Sequence, residues 1–346
     1  MATHSAAYDQ PTTVQRLFRL LATERKTVGY IYLYALITGL ISLSLPLGIQ
    51  AVFNLVAGGR VFSSIYVLIG LVVIGVLATG LLLVGQLTLV EVVQQRIFAK
   101  AAFEYTYRLP RIQPDALAGS DPPELMNRFF DVLTIQKGLP KLLIDLTAAA
   151  VQILTGIILL SFYHPVFLAF GAFTLVLIVG ISWIYGPPGL RTSLSESSYK
   201  YKVVAWLEQM AADLGHFRQE AHQPAPPLPG SDTPNAIDRM DKLVAGYVDN
   251  RQQHFRVLKR FFYSAVAFKT IVTGGLLILG TSLVVSREMT LGQFVAAELV
   301  IVLITNSVEK LITGIDTVFD MLTAVEKIAV VTDLPLDIDT ELTTHA

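Results

Sequence analysis

The sequence has 346 residues, of which 53% are hydrophobic and only 15% are charged, and its mean hydropathy is +0.57. An average soluble domain carries about 25% charged residues, so a compact globule of this size would lack the charges to cover its surface. The net charge of −1 excludes a general electrostatic attraction to nucleic acid. The absence of cysteine excludes disulfides, thiolate metal sites and cysteine nucleophiles. This composition is typical of a protein that crosses a membrane several times.

The N-terminal segment 1–27 is polar and contains one amphipathic stretch. Residues 13–24 place four apolar side chains at helical spacing, with two arginines elsewhere on the same helix. This pattern predicts a short amphipathic helix that lies on the membrane surface; a simple extension of the first membrane span is the alternative. We expect the first span to remain as an uncleaved anchor, because the polar N-terminus lacks the features of a signal peptide.

Six stretches are long and apolar enough to cross a bilayer, which takes about 20 residues of helix. They cover about 29–56, 62–90, 142–163, 165–186, 261–285 and 290–310. The sequence therefore predicts an all-α polytopic membrane protein, with a six-helix transmembrane domain over 28–322 and a cytoplasmic tail over 323–346.

The distribution of cations predicts the orientation. Of the 26 Lys and Arg residues, 22 lie before the first span, after the sixth, or in the two long loops, and only Arg60 and Arg287 lie in the short loops. Because loops rich in Lys and Arg stay in the cytoplasm, both termini are predicted to be cytoplasmic. This places the protein in the inner (cytoplasmic) membrane as a multi-pass protein.

The long loops are predicted to continue the membrane helices into the cytoplasm. No proline occurs between 47 and 109, so span two predicts one helix over 62–108 of about 70 Å. Two proline-rich stretches predict interruptions. Gly186-Pro187-Pro188-Gly189 is expected to end the helix of span four, and the insert 222–235 is expected to form an exposed flexible segment. A docking site is the alternative for the insert.

Two charges lie within predicted spans, Lys269 and Glu298. A charge in a span is a functional candidate by default, so both are candidates for lining a translocation cavity. The alternative for Lys269 is that its ammonium reaches the interface or pairs with a carboxylate such as Asp145 or Glu309.

Several other chemistries are excluded or disfavoured by the motifs. Gly70, Gly75, Gly80 and Gly85 repeat at five-residue spacing, but no Lys-Ser or Lys-Thr follows them, so they do not form an ATP phosphate loop. None of the six histidines lies within a span, which excludes a haem held between membrane helices. We therefore assign no catalytic, cofactor-binding or metal-binding residues to this chain.

The order of several short motifs resembles the transmembrane domain of a type I ABC exporter, closest to its haemolysin-type (type I secretion) branch. The matching stretches, in chain order, are 45–50 (LPLGIQ), 94–98 (QQRIF), 107–111 (YRLPR), 123–129 (PELMNRF), 289–298 (MTLGQFVAAE) and 331–336 (VTDLPL). In that family an ATPase domain normally follows the last of these stretches, whereas only residues 337–346 follow it here. The resemblance thus implies that ATP and Mg²⁺ bind to a separate nucleotide-binding chain.

The resemblance also implies two short coupling helices that press on the nucleotide-binding domains, at about Arg111–Asp121 and Val203–Met210. The candidate coupling residues are Arg111, Asp115, Asp121, Trp206 and Glu208. The implied partners are a second transmembrane half in a homo- or heterodimer, the ATPase subunit, a periplasmic adaptor protein and membrane lipid.

The leading hypothesis is the membrane-spanning subunit of an exporter that moves a peptide, protein or amphiphile out of the cytoplasm by alternating access. One alternative is a non-transporting scaffold or regulatory subunit that retains the same fold. An ion channel or secondary transporter is a further alternative, although the spans lack the paired broken helices of secondary transporters.

Overall fold

The computed structural model describes residues 11–58, 63–117, 122–222 and 235–337, and the described chain is almost wholly helical. Its α-helices, in chain order, are α1 (Thr13–Ala22), α2 (Arg25–Ser42), α3 (Ser44–Ala57), α4 (Ser63–Arg108), α5 (Pro122–Asn127), α6 (Asp131–Pro140), α7 (Thr147–Tyr163), α8 (Pro165–Ala212), α9 (Leu214–His222), α10 (Ala236–Val285) and α11 (Leu291–Thr332). Six segments are long and apolar enough to cross a membrane. The predicted fold class is confirmed.

Four of the helices are much longer than a bilayer is thick. α4, α8, α10 and α11 contain 46, 48, 50 and 42 residues, which corresponds to about 60–75 Å at 1.5 Å per residue, against a hydrocarbon core of about 30 Å. The prediction of one unbroken helix over 62–108 is confirmed. We call the end of the bundle that carries α1, residues 109–117 and residues 333–337 the basic end, and the opposite end the short-loop end.

The prediction that residues 186–189 end the helix of span four is wrong. Gly186, Pro187, Pro188 and Gly189 all lie inside the continuous helix α8. Each proline costs α8 one backbone hydrogen bond, but α8 packs along α10 and also contacts α11, and Gly189 lets the ring of Phe319 lie directly against the α8 backbone. Tertiary packing therefore keeps the helix continuous through a sequence with low helix propensity.

Two other prolines do alter the helices. Pro46 removes an N–H that would bond the carbonyl of Ser42, and the first crossing is divided there into α2 and α3. Pro140 likewise leaves the carbonyl of Gln136 without its helical donor, and a π-helical stretch over Lys141–Leu146 follows. The side-chain amide of Gln94 on α4 donates to this carbonyl at 2.6 Å.

The Gln94–Gln136 contact is reciprocal, because the amide of Gln136 also donates to the Gln94 carbonyl at 2.9 Å. Two side chains 42 positions apart thus repair the backbone defect that Pro140 introduces and join α4 to α6. An unpaired backbone carbonyl is costly where water cannot reach it.

The helix α11 is the centre of the bundle. It contributes to an apolar cluster with α7, α8 and α10, which includes Phe167, Phe268 and Ile304. It also contributes to a second cluster with α1, α2, α4 and α6, which includes Val93 and Met321. Every other crossing therefore packs directly or indirectly on α11.

The N-terminal helix α1 lies across α4 and α11. Thr23, just after α1, accepts a hydrogen bond from Lys100 of α4 at 3.3 Å, and Thr13 donates to Glu326 of α11 at 3.1 Å. Two of the four apolar side chains of its amphipathic pattern, Leu17 and Leu21, are buried in the protein. The other two remain exposed, so a membrane-facing role for α1 stays a prediction.

We predict that Gln94→Leu destabilises the protein, because it leaves the Gln136 carbonyl without a donor. The expected loss is about 1–3 kcal/mol, measured as a lower thermal unfolding temperature in detergent. The matched control is Gln95→Leu, since the neighbouring Gln95 is exposed and bonds only Glu91 of its own helix. Equal unfolding temperatures for the two variants would contradict the assigned role.

Candidate functional site

A short backbone clip closes the basic end. Residues 111–113 and 335–337 run antiparallel and exchange backbone hydrogen bonds of 3.1 and 2.6 Å on either side of Ile112, whose side chain is buried. Residues 111–113 follow α4 after the 3-10 turn that begins at Leu109, and 335–337 follow α11 after two residues, so this terminal clip joins the ends of two long helices.

The predicted coupling residues next to the clip are exposed. Arg111 lies with its guanidinium carbon 4.2 Å from the centre of the Tyr107 ring and donates to the Tyr107 carbonyl at 2.8 Å. Asp115 lies in the 3-10 turn Pro114–Leu117, and its side chain faces solvent. Asp121 lies outside the described residues. Arg111 and Asp115 are thus available to a partner at the basic end.

The second predicted coupling segment has a different structure from the one expected. Residues 203–210 are not a separate short helix but the last turns of α8, and the short helix after them is α9. Trp206 is buried; its indole N–H donates to the Ala236 carbonyl at 3.3 Å, and the guanidinium of Arg239 lies 4.0 Å from its ring centre. Trp206 therefore holds the start of α10 against α8.

Glu208 also contacts the chain itself. Its carboxylate accepts a hydrogen bond from the side-chain amide of Asn127, the last residue of α5. About two turns earlier on α8, the hydroxyl of Tyr201 donates to the carboxylate of Asp131, the first residue of α6. These two bonds attach the basic end of α8 to the segment that begins the third crossing.

Asp131 is a buried acid well outside the predicted spans. Asp131 is only 7% exposed to solvent. Burial raises the pKa of the Asp131 carboxyl, and the hydrogen bond from Tyr201 together with the cations Lys200 and Lys327 partly offsets this rise. The ionised form thus depends on its hydrogen-bond donor.

A second polar connection links three helices. His254 of α10, which is 1% exposed, lies with Nδ1 2.8 Å from the Thr192 hydroxyl of α8 and with Nε2 3.1 Å from the Asp316 carboxylate of α11. The bond to His254 holds the pKa of Asp316 below its usual range. A hydrogen bond of 3.0 Å between Ser193 and Thr323 joins α8 to α11 close by.

These connections surround a polar cavity of about 210 Å³ between α6, α8, α10 and α11. Its wall includes three carboxylates, two cations and four hydroxyls: Asp131, Glu196, Asp320, Lys200, Arg251, Thr134, Ser193, Ser197 and Thr323. Arg251 is paired with Glu196 at 3.1 Å. Burial and the nearby charges of Asp316 and Glu196 raise the pKa of Asp320. This part of the bundle is therefore polar inside, unlike the apolar clusters on either side.

The two predicted cavity residues lie apart. Lys269 pairs with Glu309 at 3.3 Å, and both side chains are about half exposed, which is the pairing that the sequence offered as the alternative to a cavity role. Glu298 precedes Glu309 by 11 residues on α11, about 16 Å along the helix. One carboxylate oxygen of Glu298 is buried and has no hydrogen-bond partner among the described residues.

Sequence reasoning missed the polar connections at the basic end. One signal was present for His254, because it continues the stripe of buried residues Leu258, Phe261 and Phe268 along α10. A histidine in such a stripe is expected to be buried and bonded. No comparable signal marks its partners, since Thr192 and Asp316 are each 62 residues away.

We predict that Tyr201→Phe destabilises the protein more at neutral than at acidic pH. The raised pKa of Asp131 means that its ionisation opposes folding as the pH rises through that pKa. Without the Tyr201 hydroxyl the pKa of Asp131 rises further, so the penalty is largest where the carboxylate is ionised, at about 1–3 kcal/mol. The measurement is the unfolding temperature from pH 5 to 8.

Tyr199→Phe is the matched control for the Tyr201 variant. Its ring packs against Gly246 and under Lys202, and the substitution removes a hydroxyl two residues away while keeping the ring. Its effect is expected to be small and independent of pH. A pH-independent loss for Tyr201→Phe would contradict a role in supporting ionised Asp131.

Comparison with known proteins gives one family match. Residues 28–210, which are 183 of the 346, match the family model described as "ABC transporter transmembrane region". The match begins in α2 and ends in the last turns of α8, so it includes the exposed residues Arg111 and Asp115. No curated protein matches the sequence.

Proposed function

Because the chain belongs to the ABC transporter transmembrane family, we propose that it is the membrane-spanning subunit of an exporter. A transmembrane region of this family is the transport part and works with a second transmembrane region and with nucleotide-binding units. No phosphate loop occurs in these 346 residues, so in this proposal ATP hydrolysis takes place outside them, on a nucleotide-binding unit. The haemolysin-type motifs favour a peptide, protein or amphiphile as the cargo.

The orientation follows from the cations. The basic end faces the cytoplasm in this proposal, since Lys and Arg are concentrated in the termini and long loops. The long helices then extend tens of ångströms beyond the membrane and carry their exposed ends to the depth at which a soluble ATPase would lie. The short-loop end has too little chain outside the membrane for such contacts.

The terminal clip is the observation that carries the coupling mechanism. A nucleotide-binding unit that presses on Arg111 or Asp115 pushes on the end of α4. The backbone hydrogen bonds between 111–113 and 335–337 pass the same displacement to α11, around which the other crossings pack. One contact at the basic end therefore moves helices on both sides of the bundle.

The polar connections at the basic end are the contacts that we expect to open. His254–Asp316, Ser193–Thr323 and Tyr201–Asp131 can each exchange a protein partner for water, and the net cost of such an exchange is about 1 kcal/mol per bond. Apolar contacts have no such replacement in water. Separation of α8 and α10 from α6 and α11 would open the polar cavity to the cytoplasm, as alternating access requires.

The second transmembrane half has an available surface. No residue in the most hydropathic stretch of α4 is buried within the chain, so this helix faces lipid or a second transmembrane region. Both homodimers and heterodimers are compatible with this surface.

We predict that the purified chain alone does not hydrolyse ATP.

We also predict that Asp115→Lys uncouples the chain from its ATPase partner. For this variant we expect several-fold less cargo-stimulated ATP hydrolysis in the complex, because the reversed charge disturbs the contact surface. Asp241→Lys is the control, since Asp241 is also exposed but lies on α10. Robust hydrolysis by the chain alone would contradict the proposal; failure of any ATPase to co-purify in mild detergent would favour the scaffold alternative.

Two cysteine pairs test which contacts move, and the chain is suited to this because it has no native cysteine. Ser193→Cys with Thr323→Cys replaces two hydroxyls 3.0 Å apart, a separation that allows a disulfide. We expect oxidation of this pair to stop transport and reduction to restore it, because α8 and α11 must separate.

The second pair, Ile112→Cys with Leu336→Cys, locks the terminal clip at its bridge. We expect transport to continue after oxidation, because the clip moves as a unit. Transport in reconstituted vesicles is the measurement for both pairs. The reverse pattern, with the clip lock inactive and the α8–α11 lock active, would exclude the mechanism while leaving the family assignment intact.

A further inference from the structure

A groove of about 310 Å³ lies beneath α1, between α4, α6 and α11. Its floor is apolar and is formed by residues such as Ile97, Ala101, Val132, Ile135, Val325 and Ile328. Its rim carries four cations, Arg16, Arg19, Lys100 and Arg108, and two acids, Glu104 and Asp333. The groove therefore combines an apolar bottom with a net positive edge.

Two of the four cations are neutralised by the chain. Arg16 pairs with Asp333 at 2.7 Å, and Arg108 pairs with Glu104 at 3.1 Å. Lys100 bonds only the Thr23 hydroxyl, at 3.3 Å. The guanidinium of Arg19 has no ion pair or hydrogen bond within the described residues. Two positive charges on one rim thus lack acidic partners there.

The groove lies at the level where the first crossing begins. Arg96 of α4 pairs with Glu24 at 2.7 Å, and Lys100, one turn further along α4, bonds Thr23. Glu24 and Thr23 directly precede α2, whose N-terminal residues Arg25 and Lys26 stand just outside the predicted span. Arg19 and Lys100 therefore lie on the membrane side of the groove, about 9–15 Å along the helices from the predicted spans and towards the polar headgroup layer. Arg108 and Asp333 lie further from the membrane, beside the terminal clip.

The outer surface of α1 beside the groove is apolar. Phe18 is 64% exposed and Val14 is 44% exposed, although the same helix carries Arg16 and Arg19. A helix with exposed aromatic and aliphatic side chains next to arginines is suited to the membrane interface.

We propose that this groove binds an anionic phospholipid of the leaflet nearest the basic end, with its phosphate between Arg19 and Lys100 and the start of one acyl chain on the apolar floor. Basic pockets between membrane helices on the cytoplasmic side attract anionic headgroups. A free anion would leave the apolar floor unused, and a zwitterionic lipid would bring its own cation towards two others. The bound lipid would connect α1, α4 and α11.

This inference requires the placement of α4 and α2 in a membrane but not the transport activity. It can be tested on the purified chain in a neutral detergent, without an ATPase partner. The probes are dioctanoylphosphatidylglycerol as the anionic lipid, dioctanoylphosphatidylcholine as the zwitterionic lipid, and glycerol phosphate as the free headgroup. Binding is measured by native mass spectrometry and by the rise in unfolding temperature.

We predict that Arg19→Gln with Lys100→Gln weakens binding of the anionic lipid about tenfold or more, since each cation near a headgroup contributes about 1 kcal/mol. The matched control is Arg256→Gln with Lys259→Gln, which removes two cations close to the predicted fifth span on α10. The control is expected to bind like the parent protein. The parent is expected to bind the zwitterionic lipid and glycerol phosphate at least tenfold more weakly than the anionic lipid.

A variant of the floor provides a second readout that leaves every charge in place. Ala101→Leu fills part of the groove, and we expect it to weaken binding of the anionic lipid while glycerol phosphate binding does not change. If the double variant fails to fold, as judged by its size-exclusion elution and unfolding temperature, the single variants of Arg19 and Lys100 replace it in the binding test. An equal loss of anionic-lipid binding in the α10 control would show general charge attraction. Binding of glycerol phosphate as tight as that of the lipid would show a soluble-anion site. Either result overturns the proposal.

Discussion

The constraint on which the structure depends is that backbone polar groups buried away from water must find partners within the protein, both in the membrane and in the helical extensions beyond it. Unbroken helices satisfy this requirement along most of the six crossings. Where Pro140 removes a donor, the side chain of Gln94 supplies one to the partly buried carbonyl of Gln136. The repair also joins two helices, so a local backbone requirement fixes how α4 and α6 meet. Because α6 packs closely on α11, the same contact also helps to hold α4 beside the central helix.

In the helical extensions beyond the membrane, polar groups can also bond to water in place of a protein partner. The helices continue for several turns there, but the contacts between α6, α8, α10 and α11 become polar, with a buried His254 and a buried Asp131. Such contacts hold one arrangement well, because buried polar groups must be satisfied, and they can also be exchanged for water when the helices separate. The same end carries the exposed Arg111 and Asp115 and the terminal clip. A rigid apolar half and an exchangeable polar half suit a protein that changes its shape at one end.

Parts of this arrangement were predictable and parts were not. The length of α4 followed from the lack of proline between 47 and 109, because nothing interrupts its backbone bonding. The same reasoning was wrong at Pro187 and Pro188, where packing on α10 and Phe319 outweighs two lost hydrogen bonds. The separate coupling helix that the resemblance implied at 203–210 is also absent, because these residues are part of α8. Helix propensity describes a segment alone, whereas the end of a helix is decided by what it packs against.

The sequence by itself determined how many spans the chain has, how long α4 is and which end is basic. These are properties of single segments, because hydropathy and charge add up along the chain without reference to its partners. Only the tertiary structure decided that His254 meets Thr192 and Asp316, that Trp206 faces inwards, and that residues 111–113 pair with 335–337. Such contacts depend on the rotation and axial register of helices far apart in sequence. Those two variables are set by the packing of all the helices together.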